Sequence, residues 1–438
     1  MRYLFNLLYI ALVIVALPWL LVAALRKGKY RTGWREKFWG LVPQRTSSAP
    51  CAWIHAVSLG EVSLIAPLVA ELKRRHPDWQ IAISTTTLTG HELACKRYAE
   101  HTVFYCPLDF SWAVRRAVGR LRPSLLILVE LELWPNLIAA ARAASAKVAV
   151  VNGRLSERSL RGYGRARWLV RPLLRQLDLV AAQNEPYAER FGVLGAQRGA
   201  VHVTGSLKFD GAQTDRGNPL TTKLRGLAGF GPHDVVFLAG STQDPEEQLA
   251  VDAYRQLAAA HPELRLVLVP RHPDRFDEVA RLLAASGLAW QRRTALDASP
   301  PQAAARVLLV DRVGELAAWW GTAHIAYVGG SMGSRQGQNM IEPAAYGAAV
   351  SFGPMTRNFK DVVAALLAAD AAVVVRDGPE LTAFVRRALT EPQFADALGA
   401  NARRVVAAQL GATARTVDLL DALTADRTSV ATNRRSAA

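Results

Sequence analysis

From Ala52 onward the chain alternates short β-rich runs with helical stretches, and it does so twice. The first series of candidate strands covers 52–57, 80–85, 102–105, 125–129, 147–151, 179–182 and 200–204, with helical stretches such as 64–75 and 136–144 between them. The second covers 235–239, 265–269, 289–292, 305–310, 325–328, 349–351 and 372–375, separated by helices such as 245–260, 274–286 and 314–320. Strands joined by helices pair in parallel, and parallel sheets bury both faces under those helices. The pattern therefore predicts an α/β chain of two doubly wound, Rossmann-like domains in tandem, with their ligand crevices facing a cleft. The breaker-rich stretch 211–219 (GAQTDRGNP) is the expected linker between domains at 26–210 and 220–424. The polar, basic tail 425–438 is expected to be disordered.

Before the first strand, Leu4 to Leu25 carries no charged residue. At 1.5 Å per residue such a run spans roughly 33 Å, enough for a bilayer core. Arg26, Lys27, Lys29, Arg31, Arg35 and Lys37 follow at once, against only Arg2 before. Residues 1–25 are thus expected to be a single-pass anchor in the inner membrane, with the remainder cytoplasmic. A cleaved signal peptide is the competing reading. The basic cluster with Trp34, Phe38 and Trp39 suits an anionic membrane surface.

The whole chain carries 53 Lys and Arg against 37 Asp and Glu, a formal charge of +16, which calls for an acidic partner. No zinc-finger spacing, RNP-like aromatic motif or long lysine run points to nucleic acid, and none is expected as a partner. The three cysteines form no CxxC pair, and neither a metal nor a cofactor is expected. Walker A, G-x-G-x-x-G after the first strand, H-E-x-x-H and G-x-S-x-G are all missing, which disfavours dinucleotide redox chemistry.

Chemistry is carried instead where strands end. Ser58-Leu59-Gly60-Glu61 follows the first strand, at the mouth of the first domain. Ser58-x-x-Glu61 is a capping box by spacing, and it is equally a carboxylate placed to take a proton from an attacking hydroxyl. Asn339-x-x-Glu342, preceded by Gly337, repeats the ambiguity in the second domain: cap, or a helix start that holds phosphate and ribose. Arg271-His272 ends a strand of the second domain, where arginine would grip phosphate, or else forms a solvated loop between Pro270 and Pro273. Lys208 lies just before the linker and either neutralises a phosphate or pairs with Asp210. Glu130 and Glu132 end another strand, and alternation would place them on one side, facing ligand or paired with Arg154 or Arg158. Thr85 and Thr86 offer hydroxyls for a sugar, and Gly314, before Glu315, gives backbone access to a base or phosphate.

Taken together these strings resemble the Kdo transferases, which add 3-deoxy-D-manno-octulosonic acid (Kdo) from CMP-Kdo to the lipid A precursor. The resemblance rests on Trp53 to Glu61, Glu130 to Asn136, Asn152 to Ser159, Lys208 to Asp210, Gly240 to Thr242, Val269 to Pro273, Gly314 to Leu316, Gly329 to Ser331, Asn339 to Pro343 and Asn358 to Asp361. It implies a GT-B fold and an inverting transfer with no required metal. It also implies Glu61 as general base, and Arg271, His272, Gly314, Glu315, Asn339 and Glu342 around the CMP moiety. Lys208 would lie near the phosphate or the Kdo carboxylate. Ser58, Gly60, Thr85, Thr86 and Glu130 would shape the sugar and acceptor site in the first domain. Gln336 and Gln338 stand where the family often has glycine and histidine, Gln243 replaces a frequent histidine, and Leu131 a threonine. Without the resemblance, a transferase of another nucleotide sugar and a non-catalytic binding module stay open.

Overall fold

The computed structural model describes residues 6, 7, 9–11, 15 and 32–435. The chain divides into two compact units, Met1–Gly211 with Leu410–Ala438, and Ala212–Gln409. The first carries β1 (Cys51–His55), β2 (Gln80–Thr85), β3 (Thr102–Tyr105), β4 (Leu125–Val129), β5 (Lys147–Gly153), β6 (Leu179–Ala182) and β7 (Val201–Val203). They form one parallel sheet in the order β3-β2-β1-β4-β5-β6-β7. The second unit carries β8 (Val235–Thr242), β9 (Leu264–Pro270), β10 (Trp290–Arg292), β11 (Val307–Leu309), β12 (Ile325–Val328), β13 (Ala349–Phe352) and β14 (Ala372–Val374). Its parallel sheet has the order β10-β11-β9-β8-β12-β13-β14.

Each predicted strand has a counterpart within a few residues, because a strand buried on both faces reads as an apolar run. In β4 all five residues are buried. Leu126 and Leu128 enter the core on one face with Trp53 and Val150, while Ile127 and Val129 enter the other with Ile54 and Val151. Strand order reverses between β1 and β4, and again between β8 and β12. Ligands of such sheets bind where the strands' carboxyl ends diverge, so these two points frame the search for a site.

Three expected boundaries shift. Residues 410–424, assigned from sequence to the second domain, belong to the first unit. The helix Ala412–Arg435 covers one face of the first sheet, burying Ala412, Val417 and Leu420 beside Ile54 and Ile65. Arg75 and His76 fasten it to Asp421 at 3.0 and 2.6 Å. That same helix runs through Arg435, where disorder was expected from residue 425. The expected linker is not loose throughout either. Arg216 donates from Nε to Tyr346 O (2.8 Å) and from Nη1 to Gly321 O (3.3 Å), tying that stretch into the second unit.

The anchor expected over residues 1–25 lies almost wholly outside the described residues. Among the described residues no helix is long and apolar enough to cross a membrane. Asn6 bonds Ser111 and Tyr9 bonds Asp109, both within the first unit. Of the basic cluster, Lys37 turns inward, its Nζ 4.0 Å from the Tyr105 ring centre, whereas Trp34 and Trp39 stay exposed.

Candidate active site

The first unit's switch point is built around one peptide. As β1 ends, Val57 N donates to Glu61 Oε2 at 2.8 Å, and Val57 O accepts from Thr85 Oγ1 at 2.9 Å and Thr86 N at 3.2 Å. Ser58, the N-cap of helix Leu59–Leu64, donates its hydroxyl to Glu61 Oε1 at 2.9 Å and accepts from Glu61 N at 3.4 Å. The capping contacts foreseen from the spacing are therefore made. They also hold the carboxylate in one place, which catalysis needs as much as capping does. Gly60 needs no special backbone angle, and a Cβ there would meet only Ser58 Oγ at 3.8 Å. The approach beside Glu61 is open.

Burial raises the Glu61 carboxyl to about 7, against the lowering effect of its bonds to Val57 and Ser58; Glu130 and Glu132 push it further up by like charge. These three carboxylates thus gather at the junction of β1 and β4. The alternation argument for Glu130 and Glu132 fails, because β4 stops at Val129 and Glu130 takes a left-handed φ of 60°. Asn152, near the end of the neighbouring β5, does the same at 53°. Two non-glycine residues held in that sparsely allowed region mark a strained rim. Glu132 accepts from Trp134 Nε1 at 3.0 Å, and burial raises its carboxyl.

Beneath this rim His55 is fully buried. Its Nδ1 lies 2.9 Å from Ser84 Oγ, and its Nε2 has no hydrogen-bond partner among the described residues. Burial lowers the ring to about 4, so it is neutral at physiological pH. Asp109 accepts the amides of Asn136 (2.9 Å) and Leu137 (2.8 Å), closing the start of helix Pro135–Ala143 that follows the acidic loop.

In the second unit, four strand ends meet at the carboxyl edge: β8, β9, β11 and β12. Arg271 N donates to Thr242 O at 3.0 Å, linking the ends of β9 and β8. Burial raises the Glu342 carboxyl while Asn339 and then Arg271 oppose it, so the three side chains share one site. Asn339 Nδ2 donates to Glu342 Oε1 at 2.9 Å and Asn339 Oδ1 accepts from Ile341 N at 3.1 Å. The helix there is only Ile341–Ala345, so its dipole is small. Gly337, at φ 81°, packs against the backbone of Met355 and Thr356, where a Cβ would sit at a tight 3.1–3.2 Å. Asn358 Nδ2 donates to Arg335 O at 3.2 Å and so secures the same loop.

Glu315 is committed differently from the sequence expectation. Its carboxylate takes both Nε and Nη2 of Arg293 at 2.9 Å, and Trp319 Nε1 at 3.1 Å. Gly314 beside it needs its left-handed φ of 93°. Lys208 falls in the first unit, following Leu207, whose amide donates to Asn152 Oδ1 at 3.1 Å. Asp210, its suggested partner, accepts from the amides of Gly411 (2.7 Å) and Thr413 at the start of the last helix.

Residues 32–211 match the family described as 3-deoxy-D-manno-octulosonic-acid transferase (kdotransferase). The 3-deoxy-D-manno-octulosonic acid transferase of Bordetella pertussis is 38% identical over 378 residues, covering 84% of this chain and 86% of its own. That of Haemophilus influenzae is 31% identical over 420 residues, covering 94% and 97%. This chain belongs to the Kdo transferase family. It is a glycosyltransferase. A UDP-GlcNAc 2-epimerase from Neisseria meningitidis superposes with a TM-score of 0.56 at 13% identity, covering 84% of this chain and 99% of its own. At that identity the likeness concerns the two-domain GT-B-like fold alone.

The second unit's turns are also held by an acid that sequence reading did not select. Glu246 is 1% exposed, and its carboxylate accepts from the amides of Gln243 (3.0 Å), Gly330 (2.6 Å), Ser331 (2.9 Å) and Met332 (2.9 Å) and from Tyr327 Oη (2.9 Å). It clasps the turns after β8 and β12, where Gln243 and Gln338 converge on Gly330. Asp109 likewise escaped sequence reading, and His55 and Asn152 lay within the resembling strings without an assigned role. The three-residue spacing Gln243-x-x-Glu246 was the one local signal for Glu246.

Proposed function

We propose that this Kdo transferase moves Kdo from CMP-Kdo to a lipid A precursor of the lipid IVA type, with inversion, and that Glu61 is its general base. The single observation that carries the reading is a tethered, half-buried carboxyl at the β1/β4 switch point with its proton affinity lifted to about 7. An acid tuned to the ambient pH exchanges protons most effectively with a substrate hydroxyl. The acceptor hydroxyl passes its proton to Glu61 as its oxygen bonds to the anomeric carbon. The bond from that carbon to the phosphate breaks on the opposite face, and CMP departs with the electron pair. Arg271, His272, Asn339 and Glu342 hold the CMP moiety, with the Gly314 turn beside them. Ser58, Gly60, Thr85, Thr86 and Glu130 border the acceptor, and Lys208 offsets anionic charge on the first unit.

The transfer takes place at the cytoplasmic face of the inner membrane. The uncharged run Leu4 to Leu25 and the exposed Trp34, Trp39 and Trp112 support that placement. Glu61→Gln tests the chemistry cleanly, because glutamine serves a capping box as well as glutamate. Turnover of CMP-Kdo on a tetraacyl disaccharide bisphosphate should fall about 100-fold or more with a melting temperature no lower than the parent's. Near-normal transfer by the folded variant would leave Glu61 a cap and nothing more.

A further inference from the structure

The second unit holds a pocket at the opposite edge of its sheet from the candidate donor site. Val235 and Ile325, the first residues of β8 and β12, line it, together with Arg216, Arg225, His324 and Asp396. Its volume is about 640 Å³, within the range of small-molecule sites.

Its charge is unbalanced. Arg216 is held by the carbonyls of Tyr346 and Gly321, and burial lowers its proton affinity to about 10, with Arg225 and Arg403 lowering it further by repulsion. Arg403 lays its stem across Gly347, another lining residue, which keeps a left-handed φ of 72°. His324 accepts Val236 N at Nδ1 (3.1 Å), which puts the proton of the neutral ring on Nε2 as a donor. Enclosure by the walls, then Arg216 and Arg225, lower it to about 4, and Asp234 opposes this weakly while itself paired to Arg265 and Arg306. Asp396 is the one carboxylate among the lining residues.

Two guanidiniums in the lining and a third adjoining it, set against a single lining carboxylate, cost free energy unless an anion joins them, and planar guanidinium forks suit phosphate. We infer that this pocket binds a soluble small molecule carrying at least one phosphate group, at a site separate from donor binding.

Isothermal titration of the full chain with inorganic pyrophosphate tests the inference. Saturable binding should weaken at least tenfold in the Arg225→Gln/Arg403→Gln double variant, since each lost guanidinium contact to phosphate is worth about tenfold. Arg271→Ala should bind pyrophosphate as the unaltered protein does, which distinguishes this pocket from the donor site. Arg216 is left intact because its backbone contacts support the fold. No saturable binding, binding kept by the double variant, or binding lost with Arg271→Ala would each overturn the inference. So would binding confined to phosphatidylglycerol vesicles, which would signify a lipid surface instead.

Discussion

Glu61 and Glu246 occupy corresponding places. Each follows the first strand of its sheet, near a helix start and at the point where strand order reverses. Their environments part there. Glu246 is buried and accepts four amides from two turns and the Tyr327 hydroxyl from β12, so its charge is spent on holding the fold. Glu61 accepts from one amide and one hydroxyl, lies half-buried, and faces two further carboxylates. A carboxylate saturated by amides is a structural post. One held by two donors and crowded by like charge has its proton affinity raised into the range where it can accept a proton and release it again.

The largest effect that could break this comparison is on stability. Glu246→Ala strands four amides, leaves Tyr327 Oη only Ser331 Oγ, and should lower unfolding free energy by about 3–5 kcal/mol, read by urea denaturation. A variant as stable as the parent would remove the contrast. The next sharpens the role of Glu61. Because the base form is required, kcat/KM should fall as pH drops below about 7 in the parent, and that acid limb should vanish in Glu61→Gln. The sign for stability is opposite. A carboxyl raised from 4.5 binds its proton more tightly folded than unfolded, so the parent should lose stability relative to Glu61→Gln as pH rises from about 4.5 to about 7.

Smaller effects follow in the second unit. Arg271→Ala should raise the KM for CMP-Kdo about tenfold, the scale of one charge-assisted contact, with little change in melting temperature because the side chain is exposed. Smallest is Gln336→Gly. Gln336 sits at φ 67°, and glycine there relieves about 1 kcal/mol of left-handed strain, partly offset by greater freedom when unfolded. A melting temperature that does not rise would show that Gln336 stores no such strain.

The linear chain determined the strands, because fully buried parallel strands must be apolar and helices must separate them. It also marked Ser58-x-x-Glu61 and Asn339-x-x-Glu342 as strand exits, without deciding between cap and site. Tertiary structure added what spacing could not, because proton affinity depends on neighbours far away in sequence: Glu130 and Glu132 for Glu61, Arg271 for Glu342. For the same reason Glu246, whose turn partners lie some eighty residues on, could not be picked out. Glu315 was selected for ligand and proved bound to Arg293. Nor could the last helix be given to the first unit, as its apolar face states only that it needs a partner surface, and folding chose which one. Local pattern encodes what is buried; only packing in three dimensions sets against whom, and at what charge.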